Sequence, residues 1–190
     1  MKVRNCFGVG AAAVLGFAGV AGAADTYKVD PVHSNVVFKI THFNMAPFYG
    51  LFVGPSGQFV LDEDAARSSF QFEVPVEKVV TGQEKRDAHL KGPDFFNAKQ
   101  FPTISFKSTS VAKKGENAYE VTGDLTARGV TKQAVVTIEK TGQGKDPQGK
   151  ERAGLHATFT IKRSDFGINY MPQGLGDEVT LMVGIEGLKQ

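Results

Sequence analysis

The chain has 190 residues, of which 41% are hydrophobic and 22% are charged, with 22 lysines and arginines against 20 aspartates and glutamates. This length and composition predict one globular domain with a sizeable core, and they exclude disordered, collagen-like and multispan membrane proteins.

The N-terminal segment has the features of a secretory signal peptide. Lys2 and Arg4 precede an apolar run rich in Gly and Ala that ends in small residues. The run is too short and too poor in Leu and Ile for a membrane anchor. We therefore predict export to the periplasm, with a signal peptide over residues 1–24 that is cleaved after Ala23 or Ala24, and a single mature domain over 25–190.

Removal of this segment changes the charge and the cysteine count. The basic residues fall from 22 to 20, which equals the number of acidic residues, and Cys6 is lost with them. A net charge of zero gives no reason to expect a nucleic-acid partner. A mature chain without cysteine excludes disulfides, thiolate catalysis and cysteine-based metal sites.

Apolar and polar residues alternate with a period of two along most of the mature chain, which is typical of strands with one buried face. About eight such runs occur. Residues 58–61 form a shorter run, and the inward positions of the others are Val36/Phe38/Ile40/His42, Phe70/Phe72/Val74, Ile104/Phe106/Ser108, Tyr119/Val121/Gly123/Leu125, Ala134/Val136/Ile138, Leu155/Ala157/Phe159/Ile161 and Val179/Leu181/Val183/Ile185.

The runs are joined by Gly- and Pro-rich turns at 54–57, 113–117 and 142–149, which predicts an antiparallel meander. Only residues 76–91 have a helical pattern, with Gly92-Pro93 as the stop signal, so one or two short helices should cap the sheet. The segment 45–52 is interpreted as an apolar loop that either opens or plugs one end of the sheet.

Eight antiparallel strands remove their exposed edges by closing into a barrel. The fold class predicted is therefore all-β, a single eight-stranded antiparallel barrel. The interior of such a barrel is either filled by side chains or open for one small ligand. The residues alone leave both readings of the Phe-rich inward faces open.

The mature chain resembles the YceI-like family of exported, lipocalin-like polyisoprenoid-binding proteins along its whole length. The matching segments, in chain order, are Tyr27-Lys28-Val29-Asp30-Pro31-Val32-His33-Ser34, Val37-Phe38-Lys39-Ile40-Thr41-His42, Gly50-Leu51-Phe52, Arg86-Asp87-Ala88-His89-Leu90, Asp94-Phe95-Phe96 with Phe101-Pro102, Gly123-Asp124-Leu125-Thr126-Ala127-Arg128-Gly129-Val130-Thr131-Lys132, and Arg163-Ser164-Asp165-Phe166-Gly167-Ile168.

The resemblance implies a lipocalin-like barrel that holds the tail of a polyprenyl phosphate or an isoprenoid quinone, with no catalytic step and no cofactor. The expected ligand-binding residues are Phe38, Ile40, His42, Phe48, Phe52, Phe59, Phe70, Phe72, Ile104, Phe106, Leu125, Val136 and Phe159.

Polar side chains near the helical segment form a second candidate site. Lys85, Arg86 and His89 are spaced to share one helix face, so they form either a rim that meets a lipid headgroup or a solvated surface. His42 is in phase with the inward residues of its strand, which makes it either a hydrogen-bonded interior group or a ligand contact.

Metal and hydrolase sites receive no support from the sequence. The four histidines match no ligand spacing, so no metal is expected. His33 and Ser34 are adjacent on a strand and point to opposite faces, and there is no nucleophile elbow.

Three alternatives to a carrier remain open. The first is an enzyme on the same barrel, either an isomerase or a haem-dependent protein. The second is a stress or interaction protein that binds no ligand, and the third is an outer-membrane barrel. The predicted partners are a small amphiphilic lipid and, transiently, a membrane or a membrane quinone-using protein, with the oligomeric state undetermined.

Overall fold

A computed structural model describes residues 24–190, so the predicted signal peptide lies outside the described residues except for Ala24. The strands are β1 (Asp25–Val29), β2 (Asn35–His42), β3 (Ala46–Val53), β4 (Ser56–Leu61), β5 (Ser69–Pro75), β6 (Val79–Val80), β7 (Thr103–Lys113), β8 (Ala118–Ala127), β9 (Val130–Lys145), β10 (Glu151–Lys162) and β11 (Leu175–Lys189). The helices are α1 (Glu84–Lys91) and 3-10 turns at Ala65–Arg67, Val76–Lys78 and Arg163–Phe166. No helix within 24–190 is long and apolar enough to span a membrane.

The strands form a closed antiparallel barrel. The order β1-β4-β5-β7-β8-β9-β10-β11 returns to β1, because Tyr27 pairs with Lys189 and Val29 with Gly187. Each remaining neighbour in this ring is also paired antiparallel. The predicted eight-stranded antiparallel barrel is therefore confirmed.

Three positions of the barrel wall are built from interrupted strands. Residues Gly187–Lys189 of β11 pair with β1, whereas residues Leu175–Gly184 pair with β2, so β1 and β2 are two parts of one wall position. The same relation holds for β3 and β4, which are separated by Gly54 and Pro55, and for β5 and β6. The wall is consequently extended on one side by β2, β3 and β6.

The helical prediction for residues 76–91 is wrong over residues 79–83, which separate the 3-10 turn Val76–Lys78 from α1. Val79 and Val80 pair with β3 as a short strand, which is consistent with the β-branched side chains there. Gly82 then adopts a left-handed φ of 79°, and the Gln83 side chain accepts a hydrogen bond from the Arg86 N–H as the helix cap. The helix can therefore begin only at Glu84.

The loop prediction for residues 45–52 is also wrong. Residues Ala46–Val53 form β3, which pairs with β2 from His42 opposite Ala46 to Asn35 opposite Val53. Pro47 and Gly50 hid the period of two in the sequence, because neither is typical of a strand. Gly50 is needed there because the ring of Phe38 covers its backbone, so that a Cβ on Gly50 would lie 2.0 Å from Phe38 Cζ.

The barrel interior has two parts with different packing. We call one part the packed half, because buried side chains fill it: Tyr27, Val29, Phe59, Ala65, Phe70, Val111, Tyr119, Val121, Val136, Ile138, Ala153, Leu155, Ala157 and Ile185. We call the other part the open half, where smaller clusters around Phe38, Phe52 and Leu125 line the wall. Phe106 and Phe159 contact clusters of both halves and form the boundary between them.

An ion-pair network surrounds the break between β1 and β2. Arg152 Nη1 donates to Asp30 Oδ2 at 2.8 Å and to Glu186 Oε1 at 2.5 Å, and its Nε donates to Asp146. His33 Nδ1 lies 2.8 Å from Asp30 Oδ2. Hydrogen bonds from His33 and then from Arg152 hold the pKa of Asp30 well below its usual range. The network joins the segment between β1 and β2 to β10 and β11.

Candidate ligand-binding cavity

The open half encloses a cavity of about 450 Å³, which lies within the range of small-molecule sites. Its wall is mostly aromatic and aliphatic and comes from the strands, from α1 and from the segments that follow α1 and β10. The lining residues are Phe38, Ile40, His42, Phe48, Phe52, Arg86, His89, Leu90, Phe95, Phe96, Ile104, Leu125, Ala127, Ile161, Arg163, Phe166, Ile168, Tyr170, Met171, Leu175, Val179 and Leu181.

The predicted ligand-binding residues divide between the two halves of the barrel. Seven line the cavity, namely Phe38, Ile40, His42, Phe48, Phe52, Ile104 and Leu125. The other six lie in the packed half or against it, namely Phe59, Phe70, Phe72, Phe106, Val136 and Phe159. All six have an inward position on their strands, but they are not part of the cavity wall.

His42 differs from its expected interior position. It lines the cavity, yet it is exposed to solvent at the end of β2. Its ring packs edge-on against Phe43, with 4.3 Å between the ring centroids. His42 is therefore a residue of the cavity mouth.

Of the predicted rim, α1 brings Arg86 and His89 to the cavity, whereas Lys85 is exposed and is not among the lining residues. Arg86 is held by Thr81, with Nε donating to the hydroxyl at 2.8 Å and Nη2 donating to the carbonyl at 2.7 Å. Its guanidinium lies 4.4 Å from the centroid of the Phe48 ring, which is a cation–π contact. Arg86 is thus fixed over the cavity wall.

His89 links α1 to the segment after β10. Its Nε2 lies 2.8 Å from Asp94 Oδ2, and its ring packs edge-on against Phe95 and Tyr170 at centroid distances of 5.1 Å and 5.0 Å. These contacts close one side of the mouth.

Arg163 is a cavity residue for which the sequence predicted no role. It lies in the 3-10 turn after β10 and is only 6% exposed. Its guanidinium donates to the backbone carbonyls of Ile168, Tyr170, Leu175 and Gly176 at 2.8–3.1 Å. Burial lowers the pKa of Arg163 from its ordinary value, although an arginine stays protonated. The motif that contains Arg163 was visible in the sequence, but its carbonyl partners depend on the path of the following loop.

The mouth carries exposed apolar side chains. The turn between β2 and β3 presents Phe43 at 51% and Met45 at 87% exposure. Phe43 lies close to Gly174, where its ring and the Met171 side chain would both contact an added Cβ. Tyr170 is also exposed, so apolar groups from two chain segments meet beside the opening.

Within residues 24–190, one cluster brings three potential metal ligands together. Single ligand atoms of Asp30, His33 and Glu186 lie within 4.8 Å of one another. Arg152 donates to both carboxylates of this cluster. The arrangement is accounted for by the ion-pair network, which arises from residues too far apart in sequence to form a recognisable motif.

Comparisons with known proteins agree with this architecture. A family model described as a YceI-like domain matches residues 27–187. Protein YceI of Escherichia coli is 37% identical over 190 residues, covering 98% of both chains, and a UPF0312 protein of Photorhabdus laumondii is 37% identical over 193 residues, covering 100% of both.

Solved structures have the same fold. The crystal structure of Burkholderia cenocepacia BcnA has a TM-score of 0.75 at 27% identity and covers 83% of this chain and 98% of its own. A polyisoprenoid-binding domain from Saccharophagus degradans has a TM-score of 0.66 at 12% identity, with coverage of 86% and 98%. The second likeness concerns the fold alone.

Proposed function

The chain belongs to the YceI-like family, and from this we propose that it is a noncatalytic periplasmic carrier that holds the tail of an isoprenoid amphiphile, either a polyprenyl phosphate or an isoprenoid quinone, inside the barrel. The observation that carries the proposal is the cavity of about 450 Å³ with its largely apolar wall. The Saccharophagus degradans domain of the same fold is described as polyisoprenoid-binding, which supports the choice of ligand class.

Burial of the tail is sufficient to explain binding. Each methylene group removed from water contributes about 0.8 kcal/mol, so ten such groups contribute about 8 kcal/mol before the costs of association. A net free energy of that size corresponds to a micromolar dissociation constant, and burial of further methylene groups of a longer tail offsets the association cost of about 4 kcal/mol or more. The carrier therefore needs few polar contacts for affinity, and these serve to orient the headgroup.

The packed half sets the depth to which a tail can enter. Phe59 and Phe70 are 0% and 1% exposed, and Phe106 and Phe159 separate them from the cavity wall. A tail that is longer than the open half therefore extends towards the mouth. Phe43 and Met45 are exposed beside the opening, where they can contact the acyl chains of a lipid surface. This supports transfer of the ligand directly from a membrane, during which its tail stays out of water.

The polar residues of the wall support a binding role rather than a catalytic one. Arg86 is bonded to Thr81, His89 to Asp94, and Arg163 to backbone carbonyls. Among the described lining residues, no hydrogen bond joins a nucleophile to a base, which is the arrangement that covalent catalysis needs. An absorption spectrum of the purified protein tests the haem-dependent alternative, since bound haem gives a Soret band.

Native mass spectrometry of the mature protein, purified without detergent from a periplasmic fraction, tests the proposal. We expect a stoichiometric adduct that extracts into organic solvent as a prenyl lipid. After delipidation, the protein should take up added polyprenyl phosphate or isoprenoid quinone. A protein that is isolated empty and binds neither class would refute the carrier function.

A further inference from the structure

The cavity wall carries positive charge and no acid. Two arginines, Arg86 and Arg163, line the cavity together with His42 and His89, and no Asp or Glu occurs among the lining residues of the described part of the chain. The acid beside His89, Asp94, is outside the lining set. An apolar pocket with two permanent cations is complementary to an anionic group.

Arg163 is the less hydrated of the two cations. The four carbonyl groups occupy four of its five N–H donors, yet a carbonyl satisfies a hydrogen bond without neutralising the charge. The Asp177 carboxylate attracts Arg163 electrostatically but forms no hydrogen bond with it. Instead, Asp177 accepts hydrogen bonds from the backbone N–H and the hydroxyl of Ser164, at 3.0 Å and 2.8 Å. Within residues 24–190, Arg163 forms no salt bridge with a carboxylate.

A buried charge of this kind is costly without a counterion. Removal of an ion from water is unfavourable by several kcal/mol, and attraction to an opposite charge is stronger in a medium of low dielectric constant. An anion that enters the cavity therefore gains more from Arg163 than it would from a cation on the surface.

The two arginines belong to one connected arc at the mouth. Arg163 Nη1 donates to the Tyr170 carbonyl at 2.8 Å, and the Tyr170 ring contacts His89. His89 follows Arg86 by three positions on α1, so both side chains lie on the same helix face. Both cations therefore line the same cavity as the apolar wall against which a tail would lie.

We propose that the cavity selects amphiphiles with an anionic head, a phosphate monoester or a carboxylate, over neutral ones with the same tail, and that Arg163 sets this preference with Arg86 in support. The inference rests on the proposed carrier function and narrows its ligand class, because a quinone head is uncharged. It requires no conformational change of the barrel.

Three probes with one common tail test the preference on the unmodified protein. Delipidated mature protein is titrated with geranylgeranyl monophosphate, geranylgeranoic acid and geranylgeraniol. A hydrogen-bonded charge pair contributes enough to predict about tenfold to a hundredfold tighter binding of the two anions than of the alcohol. A difference between phosphate and carboxylate identifies which head the site fits better.

The possible results separate the preference for an anionic head from the proposed carrier function. Equal affinity for all three probes overturns the charge preference and leaves the carrier function intact. Binding of none of them, together with refusal of quinones, overturns the carrier function and the inference with it.

Variants then assign the preference to Arg163. In Arg163→Gln, the ratio of anion affinity to alcohol affinity should fall towards one, whereas a merely structural role would weaken both probes alike. Lys162→Gln is the matched control, since it removes one positive charge from the neighbouring exposed position and should leave the ratio unchanged.

Arg163 also holds the segment after β10 through its bonds to the carbonyls of Ile168, Tyr170 and Leu175, so Arg163→Gln can fail to fold. Arg86→Gln is therefore the second variant. The Arg86 side chain is exposed and contacts only Phe48 and Thr81 by cation–π and hydrogen-bond interactions, so Arg86→Gln should still fold and should reduce the ratio severalfold. An unchanged ratio in both variants would overturn the assignment.

Discussion

The close approach of Phe38 to Gly50 makes Gly50→Ala a sharp test of how the cavity wall is built. A Cβ at position 50 would lie 2.0 Å from Phe38 Cζ and 2.3 Å from Cε1, whereas ordinary contacts begin at 3.4 Å. The ring must therefore move by about 1.4 Å. Since β2 and β3 are paired at this position, the ring can move only into the cavity, which it already lines.

The expected magnitude follows from two opposing effects. Overpacking of a filled site costs about 1–3 kcal/mol. Replacement of Gly by Ala also restricts the unfolded chain, which stabilises the folded state by about 0.4–1 kcal/mol. Gly184→Ala is the matched control, because Gly184 is also a strand residue but an added Cβ would meet nothing within 4 Å. The difference in unfolding free energy between the two variants should therefore equal the overpacking cost alone.

Urea unfolding and ligand titration of both variants measure the two consequences. The unfolding free energy of Gly50→Ala should be lower than that of Gly184→Ala by about 1–3 kcal/mol. Each kcal/mol corresponds to a decrease of about 2–4 °C in melting temperature for a chain of this size. Gly50→Ala should also bind geranylgeranyl probes more weakly. The added substitution Phe38→Leu should recover stability in the Gly50→Ala background but not in the control. Equal stability and equal affinity of the two glycine variants would refute this account of the wall.

Three further predictions concern the boundary, the ion-pair network and the mouth. Phe159→Ala should cost about 3–5 kcal/mol and shift tail preference towards longer isoprenoids in a competition read by mass spectrometry, and an unchanged preference would contradict the boundary role. Because the pKa of Asp30 is depressed in the folded state, its stabilising effect is complete above the unfolded pKa near 3.9 and is lost as the pH falls below it. Urea midpoints should therefore decline less steeply towards acid in Asp30→Asn, and parallel curves would argue against the network. Phe43→Ser combined with Met45→Ser should slow lipid uptake from phospholipid vesicles while leaving affinity for dispersed lipid unchanged, with Val135→Ser, another exposed apolar position, as the control.

The sequence predicts which side chains point inward but not where along the barrel axis they lie. Alternation assigned Phe38 and Phe70 to the interior equally well, although one lines the cavity and the other is in the packed half. The period of two repeats along every strand and contains no information about height. The stagger between strands decides the height, and stagger depends on pairing across the whole barrel.

The two errors in predicted secondary structure arise where the backbone conformation or long-range pairing overrides the local sequence pattern. The pattern at 76–91 fits a helix only if Gly82 takes ordinary helical angles, and the structure gives it a left-handed conformation instead. The strand β3 contains Pro47 and Gly50, which disfavour strands by propensity, yet long-range pairing with β2 overrides that tendency. Arg163 could not be assigned a role for a similar reason, because its hydrogen-bond partners come from a loop without a regular pattern.

The pairing of β1 with β11 has a consequence for the order in which the molecule folds. This pairing joins the first and last strands of the described residues through three residue pairs, of which Tyr27 with Lys189 is the outermost, and the Lys189 ammonium lies 2.7 Å from Asp25. Hairpins such as β9 with β10 can form early, whereas this contact, like the pairing of β2 with β11, spans most of the described residues and must wait for β11 to be synthesised. The barrel therefore cannot close until β11 has been synthesised. A truncation that removes Gly187–Lys189 should prevent this closing step.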